Sequence, residues 1–146
     1  MSKTICYHHI VFGTKSRGRT ISREKKEKLY SFITKIIQNK KSDLIAINGM
    51  EDHIHILLNL HPSVALADMV KAIKQSSSRK ITETFYLPLF EGWASEYYAC
   101  SVSPSHLEAV KSYIRKQEDH HKEKEYTHEI KSFVSKMGLT LYRDEV

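Results

Sequence analysis

Two histidines one residue apart, His53 and His55, stand in the run His53-Ile54-His55-Ile56-Leu57-Leu58. Side chains alternate along a strand, so Ile54, Ile56, Leu58 and Leu60 fill one face while both imidazoles share the other. Their Cβ atoms then lie roughly 7 Å apart, a separation from which both rings can turn toward one ion. An isolated H-x-H pair also suits the solvated side of a strand, so other residues must decide its meaning. A second pair, Tyr113 and Gln117, is spaced i, i+4 on a helical pattern and puts a phenol and an amide on one face. That face runs beside the apolar stripe Leu107, Val110 and Ile114. Taken alone, it equally describes a tyrosine at a core edge next to a solvated glutamine.

The charge balance adds a third kind of chemistry. A net charge of +6 over 146 residues favours a polyanionic partner, because each neutralised phosphate releases condensed counterions. Lys15, Arg17, Lys71, Lys74, Arg79 and Lys80 are the candidate phosphate contacts, and Trp93, Tyr97 or Tyr98 the candidate stacking platforms for unpaired bases. The bland counterpart is a solvated helix face with ordinary core aromatics. Tyr97 and Tyr98 point to opposite faces of a strand, so at most one of them faces a given partner. Cys6 and Cys100 belong to no C-x-x-C pair, which argues against a zinc knuckle or a redox motif; both are read as buried thiols. No run approaches the roughly 18 apolar residues of a membrane span, and the N-terminus lacks a secretion signal, so a soluble cytoplasmic protein is expected.

The elements that must position these groups follow from periodicity. Residues 5 to 12 are β-branched and aromatic, a first strand. From Ser22, a plausible N-cap, Leu29, Phe32, Ile33, Ile36 and Ile37 mark one face of a first helix. Residues 44 to 49 and 53 to 60 form a hairpin around the Glu51-Asp52 turn. A second helix with a basic outer face runs from Ser63 to about Thr82, its inner face carrying Leu66, Val70, Ile73 and Ser77. Residues 96 to 102 read as a fourth strand. A third helix starts at Ser103-Pro104, or by the capping-box reading at Ser105 with Glu108. Beyond a charged break at 118 to 125, a short helix spans 130 to 137 and ends at Gly138. The order β-α-β-β-α-β predicts an α+β, ferredoxin-like sandwich in one domain over residues 1 to 146: an antiparallel sheet with helices on one face, plus C-terminal helices.

Five segments in this order resemble the single-tyrosine HUH transposases of small bacterial insertion sequences. They are His9-Ile10-Val11-Phe12-Gly13-Thr14-Lys15-Ser16-Arg17, Asp52-His53-Ile54-His55-Ile56-Leu57-Leu58, Val70-Lys71 through Lys74 to Ser78-Arg79-Lys80, Trp93-Ala94-Ser95-Glu96-Tyr97-Tyr98, and Tyr113-Ile114-Arg115-Lys116-Gln117-Glu118-Asp119-His120-His121. Each is short, but five in the family's order are hard to obtain by chance.

Carried over by position, the resemblance implies Tyr113 as nucleophile, and His53, His55 and Gln117 as ligands of a divalent cation. The reaction it implies is metal-dependent cleavage and rejoining of single-stranded DNA at hairpin-containing element ends, through a 5′-phosphotyrosine. A phenol with a pKa of about 10 needs a base, a cation or a water relay to attack at neutral pH. Two imidazoles and an amide suit Mg²⁺ or Mn²⁺ completed by phosphate, and the same donors also admit zinc. Asp52 is open to two readings, orienting a ligating histidine or bridging the strands as a turn residue. His120 and His121 read as solvated. The resemblance also implies a homodimer with composite sites, the nucleophile helix lying beyond the sheet and serving the partner subunit. The alternative is a non-catalytic single-stranded nucleic-acid-binding module, which needs neither a metal ligand at Gln117 nor the H-x-H pair, or a domesticated descendant that retains the site and serves the host.

Overall fold

The histidine run occupies an inner strand of a four-stranded antiparallel sheet. In the computed structural model, which describes residues 2–117, 129–132 and 135, the strands are β1 (Tyr7–Gly13), β2 (Asp43–Met50), β3 (His53–Asn59) and β4 (Tyr98–Ser101). Their spatial order is β2-β3-β1-β4. Helices α1 (Lys26–Asn39) and α2 (Leu66–Glu83) connect β1 to β2 and β3 to β4, and α3 (Leu107–Arg115) follows β4. This is the expected α+β, ferredoxin-like order.

The alternation read in the sequence decides which face goes where. Ile54, Ile56 and Leu58 join Ile10 and Phe12 of β1 in a core closed by Leu29, Ile33 and Ile37 of α1 and by Met69, Val70 and Ile73 of α2. Each such side chain, fully buried, contributes about 1.5–3 kcal/mol. The opposite face carries Leu57 and Ala46, covered by Ile114, Leu107, Val110 and Tyr113 around α3. Helices therefore flank both faces. α3 lies over the histidine face of its own sheet, not beyond it, because its apolar stripe has Leu57 and Val102 to cover.

Several boundaries move by a few residues. Before α1, residues 23–25 form a turn in which the Ser22 carbonyl accepts from the N–H groups of Lys25 and Lys26, both at 3.1 Å. β4 begins at Tyr98 instead of residue 96, and the carbonyls of Ala94, Ser95 and Glu96 bind the Lys74 ammonium. Pro104–His106 forms a 3-10 turn leading into α3. Of the expected terminal helix, residues 129–132 and 135 are helical, while the remainder, Gly138, and His120 with His121 lie outside the described residues. Cys6 and Cys100 are free thiols but only partly buried, a correction to the buried reading. Among the described residues no helix is long and apolar enough to cross a membrane.

One glycine is required by the hairpin that carries the histidines. A Cβ on Gly49 would lie 2.2 Å from the His53 carbonyl oxygen and 2.9 Å from the Ile54 Cα. Only a residue without a side chain lets β2 approach β3 this closely.

Candidate active site

β3 is bonded on both sides, with Val11 and Asn48 opposite His55, and Gly13 and Met50 opposite His53. Both imidazoles are 0% exposed, and their ring centroids are 5.2 Å apart. A buried ring nitrogen without a partner costs about 1–3 kcal/mol, so the contacts of all four nitrogens matter. His53 Nδ1 lies 2.7 Å from Asp52 Oδ1. His55 Nδ1 lies 2.9 Å from Nε2 of His9, whose ring stacks on it at 5.1 Å. With both Nδ1 atoms held, both Nε2 atoms are turned the same way.

They meet a carboxylate. Glu129 Oε2 is 3.2 Å from His53 Nε2, and Glu129 Oε1 is 2.9 Å from His55 Nε2, the latter close but not aligned as a hydrogen bond. The helix α3 supplies the rest. The Tyr113 hydroxyl donates a short hydrogen bond to Glu129 Oε1, and the Gln117 amide donates to the same oxygen at 3.0 Å. Gln117 Oε1 stands 3.3 Å from His53 Nε2. Although α3 ends at Arg115, the i, i+4 relation still brings the phenol and the amide to one place. All of these groups belong to one chain.

The electrostatics follow from burying one carboxylate among these groups. Burial disfavours a charged His53, but the carboxylates of Asp52 and Glu129 outweigh it and push the ring up to about 9. His9 goes the other way, down to about 3, through burial and repulsion from His55, only partly offset by Glu129. Burial and the adjacent Glu129 push the Tyr113 phenol up, against a smaller opposing effect of the Gln117 hydrogen bond.

The donor set fits a cation. One atom from each of His53, His55 and Glu129 lies within 4.8 Å of the others, and all three residues are buried. The excess proton on His53 occupies a place suited to positive charge. Two imidazole nitrogens, a carboxylate and an amide oxygen are donors that Mg²⁺, Mn²⁺ or Zn²⁺ accept.

The basic residues divide between two places. Lys15 and Arg17 lie on an exposed 3-10 turn, with Ser16 and Arg17 in the left-handed region at φ 57° and 55°. The Thr14 N–H donates to the Asp52 carbonyl at 2.9 Å, which fixes this turn beside the His53 end of β3. Lys71, Lys74, Arg79 and Lys80 ride on α2, behind the other face. Lys71 and Arg79 are exposed. Lys74 directs its ammonium to the carbonyls of Ala94, Ser95 and Glu96 at 2.7, 3.3 and 2.9 Å. Lys80 lies over the Phe32 ring at 5.5 Å. Arg79, Ser78 and Trp93 line a cleft of about 720 Å³. Trp93 packs edge-on to Phe12 and Phe90 and donates to Ser77 Oγ at 2.9 Å, which makes it an anchor of the 93–97 segment.

Two residues escaped the sequence reading. His9 stood in the first motif without a role, although the period of 2 places it on the histidine face. Glu129 had no motif; its only signal is an acid immediately before the apolar position Ile130.

Comparison with known proteins identifies the family. Residues 2–117 match the family model described as transposase IS200 like. The ISDra2 transposase TnpA of Deinococcus radiodurans is 27% identical over 117 residues, covering 77% of this chain and 84% of that protein. The transposase for insertion sequence element IS200 of Salmonella typhimurium is 28% identical over 117 residues, covering 77% and 76%. A crystal structure described as a transposase candidate from D. radiodurans R1 superposes with a TM-score of 0.63 at 26% identity, over 80% of this chain and 93% of that one. A REP-associated tyrosine transposase bound to a REP hairpin shares the fold, with a TM-score of 0.61 at 13% identity over 83% and 74%. With the H-x-H strand, the tyrosine helix and the sheet order all inside the matched region, the chain belongs to the IS200-like transposase family.

Proposed function

We propose that this protein cleaves and rejoins single-stranded DNA at hairpin-bearing ends of an insertion element, with Tyr113 as nucleophile. The observation that carries the reading is the convergence of the Tyr113 hydroxyl, Gln117 and the Nε2 atoms of His53 and His55 on one carboxylate, Glu129. His53, His55, Gln117 and Glu129 would hold Mg²⁺ or Mn²⁺. When bound, the cation supplies Lewis-acid stabilisation of the scissile phosphate's oxygens.

The chain's own residues do the rest. The Tyr113 oxygen attacks phosphorus, its proton passes to Glu129 Oε1, which already accepts its hydrogen bond, and the P–O3′ bond breaks with its electron pair on the 3′-oxygen, which takes a proton from solvent to become the free 3′-hydroxyl. The resulting 5′-phosphotyrosine conserves the ester, so a second 3′-hydroxyl can reseal the strand by the reverse displacement. Asp52 fixes the His53 ring.

Lys15 and Arg17, beside the His53 end, would grip phosphates near the cleaved bond, and Lys71, Arg79 and Lys80 those farther away. Lys74, already holding three carbonyls, contributes mainly its field. The hairpin bound by the REP-associated relative supports a folded single strand as the partner. The working unit is a homodimer, in which a second copy's α3 would bring the same tyrosine and glutamine to the imidazoles. Its place of action is the cytoplasm, where the chromosome lies.

The test is an intact-mass measurement after incubation with single-stranded hairpin DNA and Mn²⁺. Wild type gains the mass of an oligonucleotide; Tyr113→Phe binds the DNA and gains none. Normal cutting by Tyr113→Phe would show the nucleophile to be elsewhere.

A further inference from the structure

We infer that His9 is the positioning residue for His55, holding its ring so that Nε2 faces the cation seat; the inference rests on the metal reading above. A ligating imidazole needs its second nitrogen held, otherwise the ring rotates and ligand basicity falls. For His53 the chain solves this locally, with the preceding residue's carboxylate at 2.7 Å. His55 is preceded by Ile54, whose side chain belongs to the opposite core. The task passes to the neighbouring strand.

The register makes that possible. Val11 stands directly opposite His55 and Leu57 opposite His9, so His9 and His55 are diagonal neighbours on one face of β1 and β3. Diagonal positions lie about 7–8 Å apart at Cα, within reach of two rings. The gap is closed by the 2.9 Å Nε2···Nδ1 contact and by stacking at 5.1 Å with 30° between the planes. His9 is 4% exposed, and its Nε2 is directed at His55 instead of the seat, so it is not itself a ligand. Tyr113 sets its edge against both rings, at 6.3 Å from His9 and 5.7 Å from His55. Displacement of His9 therefore disturbs a ligand and the tyrosine together.

The choice of imidazole over carboxylate has a chemical consequence. Asp52 can only accept, whereas His9 can donate or accept. With a cation on Nε2 of His55 the ring proton must sit on Nδ1 and donate to His9 Nε2. With Nε2 protonated toward Glu129, the same atoms can bond with His9 as donor. A glutamine amide offers both roles at nearly the position of Nε2; a phenylalanine keeps the stacked ring and offers neither.

The experiment compares wild type, His9→Phe and His9→Gln in the full chain, with far-UV dichroism and thermal melting to establish that each is folded. Mn²⁺ affinity is read by electron paramagnetic resonance, and the His55 tautomer by ¹⁵N imidazole spectra of the protein loaded with diamagnetic Zn²⁺. The expectation is a loss of about 10–100-fold in Mn²⁺ affinity for His9→Phe, recovery to within about threefold of wild type for His9→Gln, and an Nδ1–H tautomer of His55 in wild type. Equal affinity in wild type and His9→Phe refutes the assignment of His9 alone. A wild-type protein that binds no Mn²⁺ refutes the metal reading, and the role of His9 with it. If His9→Phe fails to fold, the His9→Gln affinity and the wild-type tautomer decide: weak binding by folded His9→Gln, or an Nδ1 without a proton, overturns the inference.

Discussion

Protons should compete with the cation at this site, and the size of the competition follows from His53. In the metal-free protein Asp52 and Glu129 hold its ring up to about 9, so at pH 7 only about one molecule in 100 presents a neutral His53. The apparent affinity is then about 100-fold below its intrinsic value, a cost of about 2.7 kcal/mol. The sign is fixed: raising pH toward 9 removes the competing proton, so binding tightens by about tenfold from pH 7 to pH 8 and levels off above 9. Mn²⁺ titration calorimetry measures both the affinity and, by comparing buffers of different ionisation enthalpy, a release of about one proton per ion. Glu129→Gln, which keeps the shape but removes one of the two flanking charges, should flatten the dependence. A wild-type affinity unchanged within twofold between pH 7 and 8, with no buffer dependence of the heat, would mean that His53 is neutral without metal and that the two carboxylates do not act on it as argued.

Mixing inactive His53→Ala with inactive Tyr113→Phe should restore about a quarter of the cleavage in a gel assay on hairpin DNA, because each mixed dimer that exchanges helices carries one intact site; absence of cleavage would show that each site is built from one chain. Gly49→Ala, whose Cβ would meet the His53 carbonyl oxygen at 2.2 Å, should cost about 3 kcal/mol in urea unfolding. Metal-free stability should peak near pH 6.5. The raised His53 loses its contribution as pH rises from 6.5 through 9, and the depressed His9 loses its own as pH falls from 6.5 toward 3, each with a slope of at most about 1.4 kcal/mol per pH unit in denaturant titrations. Arg79→Ala should lower the salt dependence of hairpin binding by about one counterion, whereas Lys74→Ala should lower thermal stability more than it changes that slope.

What could be read in the chain was whatever has a period. His53 and His55 alternate with Ile54 and Ile56, and the structure puts the isoleucines under α1 and α2 and the imidazoles on the opposite side. Tyr113 and Gln117 were legible as an i, i+4 pair, and they meet at one oxygen. Contacts set by tertiary register were not legible. The alternation of β1 gives the face of His9 but not its partner, which depends on Val11 pairing with His55 across 43 residues of intervening chain. Glu129 depends on how a separate segment returns to the sheet, for which spacing holds no information. Lys74 carries a phosphate-binding signature by charge, yet three carbonyls occupy its ammonium group. Charge pattern alone does not distinguish a cation that serves the fold from one that serves a ligand.

Glu129 ties these observations together. A carboxylate buried among two imidazoles, a phenol and an amide raises the proton affinity of both His53 and Tyr113. In that state the phenol is a poor nucleophile. The two effects share one source, the negative charge of Glu129, so one remedy serves both: a cation held by Glu129 and the imidazoles would take the place of the proton on His53 and offset the field that holds the proton on Tyr113. Under the proposed reading, metal dependence would have two separable parts, one acting on the phosphate and one acting on the tyrosine. Glu129→Gln distinguishes them, because it lowers the Tyr113 phenol without any metal. In ultraviolet titration of the metal-free protein, the phenolate signal that Tyr113→Phe removes should appear at lower pH in Glu129→Gln than in wild type. If the two proteins titrate alike, Glu129 does not control the tyrosine, and the metal's part in the reaction is confined to the phosphate.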